Sequence, residues 1–260
     1  MAYTNEYCEL IQKVYEFNKT LPEDKKIQFV GVDIEHQSNV AIRYIKSLVP
    51  EKEVPKEIKD FISTIKIMGR ANYLEATKEL EKNIKENEKI IKEYFGDDFF
   101  KLSLSIRNLS VSNGQMNREE YILSNFKEQY ENLPKGKYFG QFGSYHTAKQ
   151  GEVDINGYKP FAYYLDKEYE DTKGRVMTIN YDYINSKCYS GNAGEVYDLY
   201  SSTIPQIFPK NGSTMLFKLN NEGSIFTKES IFVEEYPTTE YYDYIMMFSN
   251  SEAAVRYGSE

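Results

Sequence analysis

Each of the two histidines in this chain follows a short apolar run broken by glycine, and no other sequence feature constrains the fold as much. Ile27 to Ile34 reads IQFVGVDI and leads into Glu35 and His36. Tyr138 to Phe142 reads YFGQF and leads through Gly143, Ser144 and Tyr145 to His146. Runs this short, rich in branched and aromatic residues, have the length and composition of strands buried on both faces. Both are therefore expected to be strands of one sheet.

Helical periodicity surrounds them. Tyr7, Leu10, Ile11, Val14 and Phe17 fall on one helical face, so a helix is predicted from Thr4 to Asn18, with Thr4 as its N-cap. Pro50 and Pro55 divide residues 38–68 into two helices, because neither proline fits a helix interior. Asn72 and Glu75 have the spacing of a capping box and open a long helix from Tyr73 to about Phe95. Its many charges suit a solvated face with intrahelical ion pairs. Asp97 or Asp98 then caps a helix through LSLSIRNL, so 38–113 is expected to be a helical insertion. Asn117 with Glu120 caps a further helix to about Asn132. FAYYLDKEYE is predicted helical, while RVMTINYDYI, TMLFKL and YYDYIMMF are predicted strands. This alternation predicts an α/β fold, a largely parallel sheet flanked by helices, in a single domain over 1–260 that contains the 38–113 insertion.

Charge and cysteine usage narrow the function classes. A net charge of −8 gives no broad attraction for nucleic acid or an anionic membrane. Cys8 and Cys188, far apart in sequence, supply neither a thiolate zinc site nor a disulfide framework, and both are expected to be reduced. No apolar run is long enough to span a bilayer, and MAYTNEYCELIQ lacks the basic and apolar regions of a signal peptide. A cytoplasmic location is expected, provided that no N-terminal signal precedes this sequence.

In open α/β sheets, ligands bind where loops converge at the carboxyl ends of the strands. Asp33, Glu35 and His36 follow one expected strand, and Tyr145 and His146 follow the other. Parallel neighbouring strands would place both histidines at one edge of the sheet. Histidine exchanges protons near neutrality, and a nearby carboxylate can orient it. Arg118 and Asn125, two helical turns apart, share a face with Tyr121 and Ile122. If buried, both need partners, which an active-site carboxylate or a substrate oxygen would supply; the other reading leaves Arg118 exposed in the first turn. Asn125 and Tyr145 are the candidate substrate-binding side chains. Asp33, His36 and His146 lack the spacing of a known metal motif, and no GxSxG elbow, P-loop or GxGxxG is present, so no metal and no cofactor are expected.

The order FVGVDIEHQ, helical insertion, NREEYILSNF and then KYFGQFGSYHTAK resembles the erythromycin esterase-like family. Gly31 and Asp33 match its Gly-x-Asp motif. Arg118 and Asn125 match its Arg-x-x-x-Met-x-x-Asn-type helix, with Ile122 near the methionine, and His146 matches its later histidine. The likeness runs through most of 4–182. The resemblance implies a hydrolase of the macrolide-resistance type, opening an ester or lactone with histidine-activated water. Arg118 and His146 would steady the oxyanion or orient the acids, and Asp33 would hold the constellation. Two departures stand out. Gly143 occupies the place of a second family histidine, and the family's upstream Gly-Glu-x-x-His-type region has no counterpart. A truncated, weakly active chain is therefore expected, with His36 beside Glu35 as a substitute base. The alternative is a non-catalytic ligand-binding or assembly module on the same fold. The expected partners are a small ester or lactone and, through an uncovered face, a second copy of the chain.

Overall fold

The first helix, α1 (Asn5–Lys19), starts where the Thr4 hydroxyl accepts the amide of Tyr7, so a side chain satisfies one of its orphan donors. The computed structural model describes residues 4–35, 37–111, 118–151, 157–190, 195–199, 214–227 and 237–258. The chain divides into two compact units, Gly31–Glu131 and the combination of Met1–Val30 with Asn132–Glu260.

Gly31–Glu131 is helical throughout its described elements: α2 (Ser38–Ser47), α3 (Lys59–Ile67), α4 (Tyr73–Phe95), α5 (Phe99–Ser110) and α6 (Arg118–Asn132). Helical spacing places Ala41, Ile42 and Ile45 of α2 against Phe61, Ile62 and Ile65 of α3 in one core. Leu80, Ile91 and Phe95 of α4 and Leu102, Ile106 and Leu109 of α5 complete it. Phe61 meets Phe95 edge-to-face at 6.1 Å between ring centroids. Pro50 and Pro55 lie in the α2–α3 connection, as their missing amide hydrogens require. Asn72 precedes α4, but its side chain accepts the amide of Gly69 rather than capping the helix. Gly96 stops α4 at φ 58°, ψ −129°, a conformation that favours glycine.

In the other unit, β5 (Tyr244–Ser249) is the middle strand of a three-stranded sheet. It runs parallel to β1 (Ile179–Ile184) and antiparallel to β4 (Thr214–Lys218). Ile245 and Met247 of β5 join Leu219, Phe226, Tyr241, Tyr242 and Ala148 in the core. β2 (Ser186–Ser190) and β3 (Glu195–Leu199) form a separate antiparallel pair. Asn185 links β1 to β2 at φ 47°, in a region asparagine tolerates better than most residues. The short helices α7 (Ser144–Thr147), α8 (Phe161–Tyr163) and α9 (Thr238–Tyr241) lie between these elements, and α8 continues into a π-turn over Tyr164–Glu168. No helix among the described residues is long and apolar enough to cross a membrane.

The architecture is mixed helix and sheet, but the sheet is small and mixed rather than largely parallel. Neither IQFVGVDI nor YFGQF is a strand. Ile27, Phe29 and Val30 are exposed, and the Asn18 side chain binds both the amide (2.8 Å) and the carbonyl (2.9 Å) of Ile27. One asparagine thus satisfies both peptide groups of Ile27, which a neighbouring strand would otherwise meet. In the second run the Phe142 ring folds back over Gly140, where an added Cβ would stand 2.4 Å from it. A larger residue at 140 would displace that ring, and the ring of Phe142 packing back along its own segment is not the alternation of a strand.

Candidate functional site

The segment leading into α2 carries Asp33 and Glu35. Oδ1 of Asp33 accepts Nε–H of Arg118 at 2.8 Å and the amide of Ile34 at 2.8 Å. Oδ2 accepts an Nη2–H of the same guanidinium. This two-pronged contact ties α6 to the segment before α2, which are far apart in sequence. The two side chains are 43% and 33% exposed, so water screens the pair. The hydrogen bond to Asp33 raises the Arg118 pKa above its ordinary value, against the opposing effect of burial. With both oxygens engaged, Asp33 orients the guanidinium and is poorly placed to abstract a proton itself.

Asn125 is fully buried on the same helix. Its Nδ2 donates to the Val32 carbonyl at 3.1 Å and to Oδ1 of Asn108 at 2.8 Å, while its Oδ1 accepts from Nη2 of Arg107 at 3.0 Å. Arg107 in turn pairs with Glu128. The network fixes the backbone one residue ahead of Asp33, so Asn125 meets protein groups with its buried amide. Glu35 accepts the amide of Gln37 at 2.5 Å, a local turn contact ahead of α2. His36 lies outside the described residues.

His146 and Tyr145 belong to α7, in the other unit. The His146 amide bonds to the Gly143 carbonyl at 3.0 Å, and its Nδ1 is shielded from solvent. The imidazole meets Phe142 and Tyr145 edge-on, with centroids 6.5 and 5.9 Å away. The Tyr145 hydroxyl donates to the Tyr158 carbonyl at 3.1 Å while its ring stays partly exposed. The hydroxyl of Tyr242, just after α9, donates to the Ser144 carbonyl at 2.8 Å. Lys149 pairs with Asp243 at 2.7 Å, and Asp243 also accepts the amide of Thr178 at 2.8 Å. These bonds anchor the histidine-bearing turn to the sheet. Neither histidine follows a strand, so the strand-end argument for placing both at one sheet edge fails. Among the described residues, no three His, Cys, Asp or Glu side chains converge as metal ligands would.

No family model matches the sequence, and no curated protein matches it. The fold is similar to that of a solved erythromycin esterase. That structure, a mutant of EreC in its open conformation, aligns with a TM-score of 0.56 over 97% of this chain and 74% of its own, at 12% sequence identity. At that identity the likeness establishes a related fold and leaves activity open.

Sequence reasoning missed Arg107, Asn108 and Glu128, although the adjacent Arg-Asn in SIRNL, set between the apolar Ile106 and Leu109, was a signal for the first two. It also missed Lys149 and Asp243, which lie far apart in sequence and carry no local pattern.

Proposed function

We propose that this chain is an esterase-like hydrolase that opens a carboxylic ester or lactone with histidine-activated water. The observation that carries the proposal is the fold likeness, across nearly the whole chain, to a structure named an erythromycin esterase. Each unit supplies its own candidate group. In Gly31–Glu131, Arg118 is held by Asp33, and its Nη1 edge has no hydrogen bond among the described residues. That edge can bind a substrate oxygen as negative charge develops on it. His36, next to Glu35, is the base proposed for this unit, and Asn125 steadies the backbone before Asp33. In the other unit His146 is the proposed base, within its aromatic setting, and the exposed ring of Tyr145 offers a substrate contact.

The test is hydrolysis of p-nitrophenyl acetate and a macrolide by the purified chain. General-base catalysis contributes about 10²–10⁴-fold, so substituting the base by alanine should lower kcat by that order. Arg118→Ala should cost about 10²–10³-fold if the guanidinium binds an oxyanion. Comparing His146→Ala with His36→Ala identifies the unit that carries the chemistry, and turnover indifferent to all three substitutions would refute the proposal.

A second reading, a ligand-binding module without catalysis, is favoured by the full engagement of Asp33. Macrolide binding without turnover in the unsubstituted chain would select it.

A further inference from the structure

A cleft of about 580 Å³ opens in the helical unit between the end of α2, the Pro50 connection, α3 and the end of α4. Its volume lies within the usual range for small-molecule sites. The base of the cleft is apolar and fixed. Ile65 and Tyr94 are buried, and Val49 and Val54 pack against the same core. The Tyr94 hydroxyl reaches the carbonyls of Pro50 at 3.2 Å and Lys52 at 3.4 Å, which holds the connection over the ring. Three lysines, Lys46, Lys52 and Lys66, line the cleft together with one acidic residue, Glu51.

None of the three lysines forms an ion pair among the described residues, whereas Lys82 and Lys101 elsewhere in the same unit each pair with a carboxylate. Lys52 instead lies over the Tyr94 ring, 4.9 Å from its centroid. This is a local positive site on a chain of net charge −8. A concave, partly apolar lining with an excess of cations concentrates anions and offers a surface for a flat hydrophobic body.

We propose that this cleft binds a small anion with a flat apolar body, of which an aromatic carboxylate is the simplest member. The apolar body lies against the partly buried Val49, Pro50 and Val54, and the carboxylate draws on Lys46 and Lys66. Lys52 can swing from the tyrosine face to close over the ligand. The inference uses none of the groups proposed for hydrolysis, so either proposal can fail alone.

The full chain is titrated calorimetrically with 1-naphthoate and with its neutral isostere 1-naphthamide. Naphthoate should bind one-to-one with a Kd below about 1 mM. The amide should bind about tenfold more weakly, and added salt should erase the difference. The double substitution Lys46→Gln/Lys66→Gln changes exposed or half-exposed groups. It should weaken naphthoate binding about tenfold and leave amide binding unchanged. As an independent measure on the unsubstituted chain, naphthoate should protect Lys46, Lys52 and Lys66 from acetylation, read by mass spectrometry. Equal affinity for acid and amide, no binding of naphthoate at millimolar concentration, or protection confined to other lysines would each overturn the proposal.

Discussion

Asn125 shows how much one buried amide can organise, since its bonds reach α5 and the backbone before Asp33. Asn125→Leu keeps the number of side-chain heavy atoms but removes every partner. It should lower unfolding stability by about 2–3 kcal/mol, because a buried carbonyl and a guanidinium lose hydrogen bonds. Urea denaturation with an unchanged m-value checks this. Asn125 was legible in the sequence as a polar residue in an otherwise core-facing stripe. For Arg118 the sequence left a buried and an exposed reading open, and its side chain is 43% exposed. The identity of their partners was not legible, because spacing along a helix says nothing about which distant segment it meets. Tyr183 behaves differently. Burial, with smaller contributions from neighbouring charges, raises its pKa above the ordinary value of 10.0, and its ring stacks on Phe248. The folded chain therefore retains this proton where the unfolded chain has lost it. The stabilising contribution is complete below about pH 10 and disappears as the pH rises through the folded value. Stability should fall above that pH, by at most about 1.4 kcal/mol per unit for this proton, and Tyr183→Phe should flatten the fall.

At the scale of elements, the helices were the legible part. The Pro50 and Pro55 breaks, the start of α4 after Asn72 and the apolar face of α2 are local properties, and local rules predict them. The strands TMLFKL and YYDYIMMF were also legible, since apolar runs of that kind found partners. IQFVGVDI has similar composition, but whether it becomes a strand depends on a neighbour that sequence periodicity cannot supply. Where Asn18 serves the peptide groups of Ile27, the start of the run pairs with no strand and Ile27, Phe29 and Val30 stay exposed. The end of α4 offers a direct test of element-scale reasoning. Gly96→Ala forces a side chain into a conformation that only glycine adopts readily, although nothing stands within 4 Å of the added Cβ. The cost is therefore backbone strain alone, about 1–3 kcal/mol, and thermal unfolding of the variant measures it.

For the whole molecule, the division into two units has the plainest consequences. The core of Gly31–Glu131 is drawn entirely from its own helices. A polypeptide of residues 31–131 should therefore stay helical and unfold cooperatively, with a urea m-value of about 1–2 kcal/mol/M. Circular dichroism across a denaturant series would show this, and a broad, non-cooperative transition would contradict it. The other unit is assembled from both ends of the sequence. The Asn5 amide bonds to the Val255 carbonyl at 2.8 Å, Thr4 bridges to Arg256, and Glu6 accepts the amide of Val255. During synthesis at about 5–20 residues per second, α1 leaves the ribosome roughly 10–50 s before those partners exist. The helical unit can close in that interval, while α1, made before it, must wait for Val255 and Arg256 to find its place.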